Sequence, residues 1–292
     1  MADIELNVDA LLPPDMARRA EALGIRKAKL DFWTMFALAI LAGAFIAAGA
    51  FFATTVWTGG SVLPYGLNRL FGGLAFCLGL ILVIVAGAEL FTGNNLIVMA
   101  WAARKVSTGQ LLRNWGIVYL GNFVGALLTV VLMLLSKQYL ASKGAVGLTA
   151  LQIATAKSSL DPIQAFFLGI MCNALVCIAV WLTFSARTTT DKILAIIFPI
   201  TAFVAVGFEH SVANMYFIPM GLLIKQFAPA AFWASDALSK ATPAVTLEAF
   251  SKLTWGNFFI NNLIPVTLGN IVGGAGMVGL IYWFVYLRPK DN

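Results

Sequence analysis

Two short stretches, "GAELFTGN" (residues 87–94) and "GFEHSVAN" (residues 207–214), decide the fold of this chain. They share the spacing G-x-E-x-x-x-x-N, and each places an acidic residue inside a long apolar segment. The apolar pieces that follow the acids, residues 90–103 and 211–224, are each 14 residues long. A helix of that length spans only ~21 Å, which is short of the ~30 Å hydrocarbon core of a bilayer. Each stretch therefore predicts one membrane crossing built from two half-helices with a break between them.

The composition predicts a polytopic α-helical membrane protein. Of the 292 residues, 60% are hydrophobic and 11% are charged, and the mean hydropathy is +0.88; a soluble domain carries about 25% charged residues. Four uncharged runs are long enough for the ~20 residues of a membrane-spanning helix, namely residues 32–68, 114–136, 162–186 and 253–287. The net charge of +6 comes from basic residues scattered at the ends of such runs, so no nucleic-acid partner is expected. The three cysteines lie within apolar runs, and neither a metal site nor a cofactor is predicted.

Further matches arrange the chain into two repeats. "YLGNFVGAL" (residues 119–127) and "TLGNIVGGA" (residues 267–275) share L-G-N-x-V-G, and "LAGAFI" at Leu41 is weakly similar to "LGIMCN" at Leu168. Both halves have the same order, which is a whole helix, a broken helix and a helix with the L-G-N motif. The sequence therefore predicts six transmembrane helices in two three-helix repeats, at about residues 31–136 and 161–287, with broken second and fifth helices. Because three is odd, the second repeat is expected to be inverted, with both breaks near the membrane midplane.

The charge distribution predicts cytoplasmic termini. Residues 1–30, 104–113, 187–192 and 288–292 hold twelve of the nineteen basic residues, which is the excess expected of cytoplasmic segments. Residues 1–30 are predicted to form a cytoplasmic amphipathic helix, which serves as a gate, a docking segment or an interfacial anchor. Residues 288–292 are predicted to be a cytoplasmic tail. The expected location is a cell (inner) membrane.

Thr92 and His210 are the candidate site residues at the two breaks. Irregular backbone at membrane depth is tolerated where it lines a wet cavity, and half-helices that begin near Gly93 and Ser211 would direct unpaired N–H groups at a small anion. A hydroxyl that faces the imidazole can fix its tautomer, and a histidine can give or take a proton near neutral pH. The alternative is a neutral His210 that only bonds backbone freed by the break.

Acids and amides near the breaks are assigned supporting roles. Each acid precedes a half-helix, where a carboxylate can accept backbone N–H bonds, so a structural role is favoured over pore lining or ion coordination. Asn173 and Asn270 lie in otherwise apolar helices and either line the path or form interhelical hydrogen bonds. The residues expected to support the breaks are Glu89, Glu209, Asn94, Asn214 and Asn270.

At these motifs the chain resembles the formate/nitrite transporter family, and within it the formate-conducting members. The resemblance runs from "LLPPDMA" to "YLRP" and is most specific in "GAELFTGNNLIV" and "VGFEHSVANMYFIPMG". It implies an aquaporin-like six-helix protomer, a homopentamer with one pore per protomer, and a pore centre where Thr92 and His210 meet. Lys157 and Asn173 match positions that draw the anion inward, and the N-terminal helix matches a gating segment. The implied hydrophobic constrictions are Phe76, Leu80, Leu90, Phe91, Val176 and Phe203.

The predicted function is a pH-dependent, bidirectional formate channel in which His210 exchanges a proton with the substrate. Nitrite, hydrosulfide, acetate and other small monocarboxylates are alternative substrates, and a cytoplasmic formate-metabolising enzyme is a possible partner at the N-terminal helix. A water or glycerol channel of the aquaporin type is disfavoured, because the sequence has no pair of Asn-Pro-Ala motifs at the breaks. The most similar stretch is "VANMYFIP". An enzyme is not expected, because adjacent His210 and Ser211 do not form a protease dyad and no G-x-S-x-G is present.

Overall fold

The computed structural model describes residues 9–241 and 245–289, and the regular structure of these residues is helical. We number the main helices α1 to α10, counting the contiguous segments of 91–102 and of 255–286 as one helix each. They are α1 (Pro13–Ala28), α2 (Phe32–Trp57), α3 (Tyr65–Gly87), α4 (91–102), α5 (Thr108–Leu135), α6 (Ala145–Ser158), α7 (Pro162–Ser185), α8 (Thr189–Val206), α9 (Ser211–Phe227) and α10 (255–286).

The all-helical membrane fold predicted from the sequence is confirmed. Six segments of the described chain are long and apolar enough to cross a bilayer, and they correspond to α2, α3, α5, α7, α8 and the region of α10. The predicted N-terminal helix is present as α1, while residues 1–8 of that segment and 290–292 of the predicted tail lie outside the described residues.

Two features of the helices were not predicted from the sequence. Helix α3 begins at Tyr65, so that the charged Arg69 lies inside it near its start. Helix α6 lies between the two predicted repeats. It packs along α9 and ends at Ser158, immediately after Lys157.

Both breaks in the helices have the same backbone geometry. Gly87 and Gly207 have φ values of +84° and +89°, a region that a residue with a Cβ enters only under strain. Residues Leu90 and His210 are extended and serve as the N-caps of α4 and α9. The chain therefore stops one helix with a glycine, runs extended for a few residues and starts a second helix, as the shared G-x-E spacing predicts.

Glycines allow the unbroken helices to pack closely in pairs. A Cβ at Gly125 of α5 would overlap the carbonyl oxygen of Ile40 in α2, and a Cβ at Gly273 of α10 would overlap the carbonyl oxygen of Ile170 in α7. Both glycines are the last residue of an L-G-N-x-V-G motif. The motif therefore places two whole helices of each repeat in backbone contact, as small residues do at membrane helix interfaces.

Gly125→Val is expected to destabilise the fold, because the new side chain forces α2 and α5 apart. Overpacking of this kind lowers the free energy of unfolding by about 1–3 kcal/mol. Gly116→Val is the matched control, since Gly116 lies on the same helix and a Cβ there meets no atom within 4 Å. Thermal unfolding of the purified protein in detergent tests this, and equal midpoints for the two variants would contradict the packing role.

Candidate functional site: two helix breaks and the cavities beside them

An asparagine from the third helix of each repeat holds the break together. Asn122 accepts the Phe91 amide at 2.9 Å and donates to the carbonyl oxygens of Glu89 (2.9 Å) and Ala39 (2.8 Å). Asn270 accepts the Ser211 amide at 2.9 Å and donates to the corresponding oxygens in the second repeat. One amide side chain thus satisfies both sides of a backbone gap that neither water nor a helix ladder serves. Asn270 is therefore an interhelical support of the break.

A buried ionic cluster stands beside each break. Glu209 accepts from Lys157 at 2.7 Å, from Asn214 at 2.7 Å and from Asn262 at 2.9 Å. A similar arrangement surrounds the other acid, Glu89, although there Lys27 also donates to Asn94. The partners of Glu89 are Lys27 at 2.7 Å and Asn94 at 2.7 Å, and Asn114 accepts a further bond from Asn94. These carboxylates accept from side chains, whereas backbone N–H donors were expected, and the supporting role of the acids and of Asn94 and Asn214 stays a prediction.

Four residues of these clusters were not predicted from the sequence, namely Lys27, Asn114, Asn122 and Asn262. A signal for the lysines was present, because "KAKLD" (residues 27–31) and "KSSLD" (residues 157–161) both precede a first helix of a repeat. The two lysines also close the clusters through their own carbonyl oxygens, which accept from Asn114 and Asn262 at 3.1 and 3.0 Å. The matching contacts therefore extend beyond the predicted repeat boundaries and include the ends of α1 and α6.

Thr92 and His210 meet at the centre of the molecule. Thr92 Oγ1 lies 3.0 Å from His210 Nε2, and both residues are buried. The second ring nitrogen, Nδ1, accepts the Ala213 amide at 3.0 Å, so His210 caps its own helix. Thr92 lies in the first turn of α4 and not in the loop, because α4 starts at Phe91 rather than near Gly93.

Two cavities lie near this pair: His210 lines one of them, and Gly93, the neighbour of Thr92 in the chain, lines the other. The first, which we call the Lys157 cavity, has a volume of about 380 Å³ and is lined by Lys157, His210, Phe76 and Phe203 among others. The second, the Lys27 cavity, has a volume of about 520 Å³ and is bordered by Leu80 and Leu90. The predicted apolar constriction residues thus fall into one aromatic pair on the histidine side and one leucine pair on the other.

The chain matches known proteins over nearly its whole length. The family described as formate/nitrite transporter matches residues 14–284. The chain is 48% identical to the formate channel FocA of Escherichia coli (strain K12) over 97% of both chains. It is 42% identical to the formate channel FocA of Haemophilus influenzae, over 94% of this chain and 95% of that one. The chain belongs to the formate/nitrite transporter family.

A solved structure of the family has the same fold. A pentameric formate channel with formate bound superposes with a TM-score of 0.81 at 48% identity, covering 88% of this chain and 98% of that one. The family resemblance inferred from the helix breaks is therefore confirmed, and the protein is a multi-pass membrane member of a transporter family.

Four predicted pore residues of this family member border neither cavity, and the fully buried Thr92 is one of them. The ring of Phe91 packs against Tyr119 of α5 at 4.9 Å between centroids, because the first residue of α4 faces that helix. Asn173 donates to the Thr92 carbonyl at 3.3 Å and to the Asn270 carbonyl at 2.7 Å, so it positions the break instead of lining a cavity. Val176 is buried and borders neither cavity.

Lys157→Met is expected to lower the stability of this family member, because it leaves the Glu209 carboxylate buried without a counter-charge. Breaking a buried ion pair from one side costs about 3–5 kcal/mol, whereas neutralising both partners is close to neutral. The double variant Lys157→Met/Glu209→Gln should therefore recover most of the loss. A cycle of thermal unfolding measurements tests this, and additive losses in the double variant would show that the two residues do not act as a pair.

Proposed function

We propose that this protein is a pH-dependent, bidirectional channel for formate in which His210 exchanges a proton with the substrate. The observation that carries the proposal is the 3.0 Å bond between Thr92 and His210, placed between two cavities that apolar side chains border. The formate channels at 48% and 42% identity support formate over other anions.

The hydrogen bonds of His210 define its tautomer in this conformation. The Ala213 amide can only donate, so Nδ1 must be the acceptor and the proton of the neutral ring lies on Nε2. Nε2–H then donates to Thr92 Oγ1, and the Thr92 hydroxyl proton is left available for a further acceptor. A carboxylate beside Thr92 would receive that hydroxyl hydrogen bond.

Proton uptake by His210 competes with helix capping. A proton on Nδ1 and the Ala213 amide proton cannot share one hydrogen bond, so the imidazolium must release the cap. It then transfers its Nε2 proton to Thr92 Oγ1 while the Thr92 hydroxyl proton passes to the formate oxygen. The products are formic acid and a neutral imidazole with its proton on Nδ1. The Ala213 bond re-forms when Nε2 takes up another proton and Nδ1 releases its own to solvent.

The apolar constrictions explain why proton transfer to the substrate would assist transport. A bare carboxylate that enters a dry apolar ring loses its hydration, which costs several kcal/mol or more, whereas the neutral acid does not carry that charge. Phe76 and Phe203 lie 5.7 Å apart between ring centroids, and Phe203 lies 5.9 Å from the His210 ring. We infer that the anion is protonated at the Thr92–His210 pair and then passes the leucine pair inward, or the aromatic rings outward, as the neutral acid.

The helix ends and lysines would attract the anion before that step. The α4 and α9 N-termini lie at the two breaks, and their positive dipole ends favour an anion nearby. Lys157 borders one cavity and Lys27 the other. In the proposed inverted topology the Lys157 cavity faces outward, the Lys27 cavity faces the cytoplasm, and both termini are cytoplasmic.

The remaining assignments follow the same proposal. The described neighbour is pentameric, so we propose a homopentamer in the inner membrane with a pore in each protomer. Helix α1 borders the Lys27 cavity through Lys27 and is proposed to gate it, with a formate-metabolising enzyme as a partner. Nitrite and hydrosulfide are the alternative substrates, since both are small anions of weak acids, as are acetate and other small monocarboxylates.

His210→Asn is expected to keep the fold but to lose the acid stimulation of uptake by about tenfold or more, the scale of a lost proton donor. An asparagine at an N-cap can still accept the Ala213 amide. Formate, nitrite and hydrosulfide uptake into proteoliposomes at several external pH values tests this, with Thr92→Ser as the hydroxyl-retaining control. Unchanged pH dependence in His210→Asn would falsify the proton exchange. If the wild-type protein transports nitrite or hydrosulfide faster than formate, that anion and not formate is the substrate.

Phe203→Ala and Leu80→Ala are each expected to admit larger monocarboxylates, because each removes one wall of an apolar constriction. The ratio of acetate to formate flux should rise several-fold in both. Ile200→Ala is the control, since Ile200 is equally buried on the same helix as Phe203 and borders neither cavity. If Ile200→Ala raises the ratio of acetate to formate flux as much as Phe203→Ala does, Phe203 does not form the constriction.

A further inference from the structure

Arg69 is a charged residue in the membrane-spanning helix α3, and it takes no part in the proposed proton exchange. Its side chain is half-buried, and its guanidinium donates through Nε to the Ala205 carbonyl at 3.0 Å and through Nη2 to the Val204 carbonyl at 2.7 Å. These oxygens belong to the last turn of α8, directly after Phe203. Arg69 therefore caps the negative end of the helix that carries a constriction residue.

The charge of Arg69 is not neutralised by an acid. No carboxylate of the described residues lies within ion-pair distance of it, whereas Lys157, the other cation of this cavity, is paired with Glu209. Arg69 borders the Lys157 cavity, so it supplies the net positive charge there when His210 is neutral. Two of its five N–H groups are engaged with carbonyls, and the others are available to a ligand.

An aromatic surface supports both cations of the cavity. The Arg69 guanidinium lies 4.9 Å from the Trp57 ring, and the Lys157 ammonium lies 5.5 Å from the Phe217 ring. The two rings are 6.5 Å apart between centroids. Stacking on an aromatic face holds a guanidinium in place without neutralising its charge. The two cations thus lie beside adjacent rings. The Phe217 ring in turn lies 6.3 Å from the ring of Phe76, between centroids.

We propose that Arg69, held against Trp57, is an anion-collecting residue of the Lys157 cavity that binds a small monovalent anion before it reaches Lys157 and the aromatic constriction. The inference rests on the proposed function for its direction, since the anion is the substrate on its way to His210. An unpaired charge at the mouth of a low-dielectric cleft raises the local anion concentration and the capture rate, and this effect is screened by salt. A residue that acted only as a helix cap would have no such salt dependence.

Transport kinetics separate collection from capping. Arg69→Gln removes the charge, Arg69→Lys keeps the charge but loses the paired bonds to α8, and Lys240→Gln removes an exposed cation elsewhere. At low ionic strength and subsaturating formate, Arg69→Gln should lower uptake by about three- to tenfold, with the difference closing in high salt. Arg69→Lys and Lys240→Gln should keep the wild-type salt dependence, and the maximal flux of Arg69→Gln should stay within about twofold of wild type.

Anion collection also has a readout that needs no transport. Iodide is a small monovalent anion that quenches tryptophan fluorescence on contact, and the part due to Trp57 is obtained by subtracting the Trp57→Phe variant. In Arg69→Gln this part should fall at low salt, while quenching by neutral acrylamide stays unchanged. If the wild-type protein transports no formate, the proposed function is wrong, but the role of Arg69 is still tested by the iodide measurement.

Two results would overturn the role of Arg69. One is a Trp57 quenching by iodide that is the same in Arg69→Gln and wild type at low salt. The other is an equal loss of flux in Arg69→Gln and Arg69→Lys at every salt concentration, which would reduce Arg69 to a cap of α8.

Discussion

The whole site depends on satisfying backbone groups where two helices stop inside the membrane. A helix that ends within a bilayer leaves amides and carbonyls without partners, and each costs several kcal/mol in hydrocarbon. Asn122 and Asn270 meet this requirement. Each accepts a hydrogen bond from an amide of the new half-helix and donates to the carbonyl of the acid in the break and to a carbonyl of a neighbouring whole helix. Because these asparagines sit on whole helices that glycines hold against their neighbours, the breaks have a fixed geometry. The cavities and the Thr92–His210 contact follow from that geometry.

The two repeats are alike in their scaffold and differ where a substrate would pass. The positions equivalent to Leu90 and Thr92 are His210 and Val212, so each break carries one polar and one apolar residue in opposite order. The threonine of the first repeat thereby meets the histidine of the second, and neither repeat contains the pair alone.

The sequence predicted the breaks, the six spans and the central pair because their signals are local. An acid inside an apolar run is rare in a membrane protein, and a glycine at a fixed distance before it marks a position where a helix can stop. Helix α6 was missed because it has no strong apolar periodicity. The match of "KAKLD" with "KSSLD" marks Lys27 as the counterpart of Lys157, but its role depends on Glu89, which lies far away in the chain. The orientation of Phe91 likewise depends on the direction in which α4 leaves Leu90, and no spacing rule supplies that direction.

The acids beside the lysines have a consequence for flux as well as for stability. A bare lysine in a narrow cavity would hold an anion too strongly, and conduction requires binding that is weak enough for the anion to leave. Glu209 lies 2.7 Å from Lys157 and is itself fixed by Asn214 and Asn262, so it stays in place while an anion approaches the same ammonium. In the proposed function, the anion would then compete with a resident carboxylate, which would shorten its residence time. The same reasoning applies to Lys27 and Glu89, so each proposed approach to the Thr92–His210 pair would combine attraction with release.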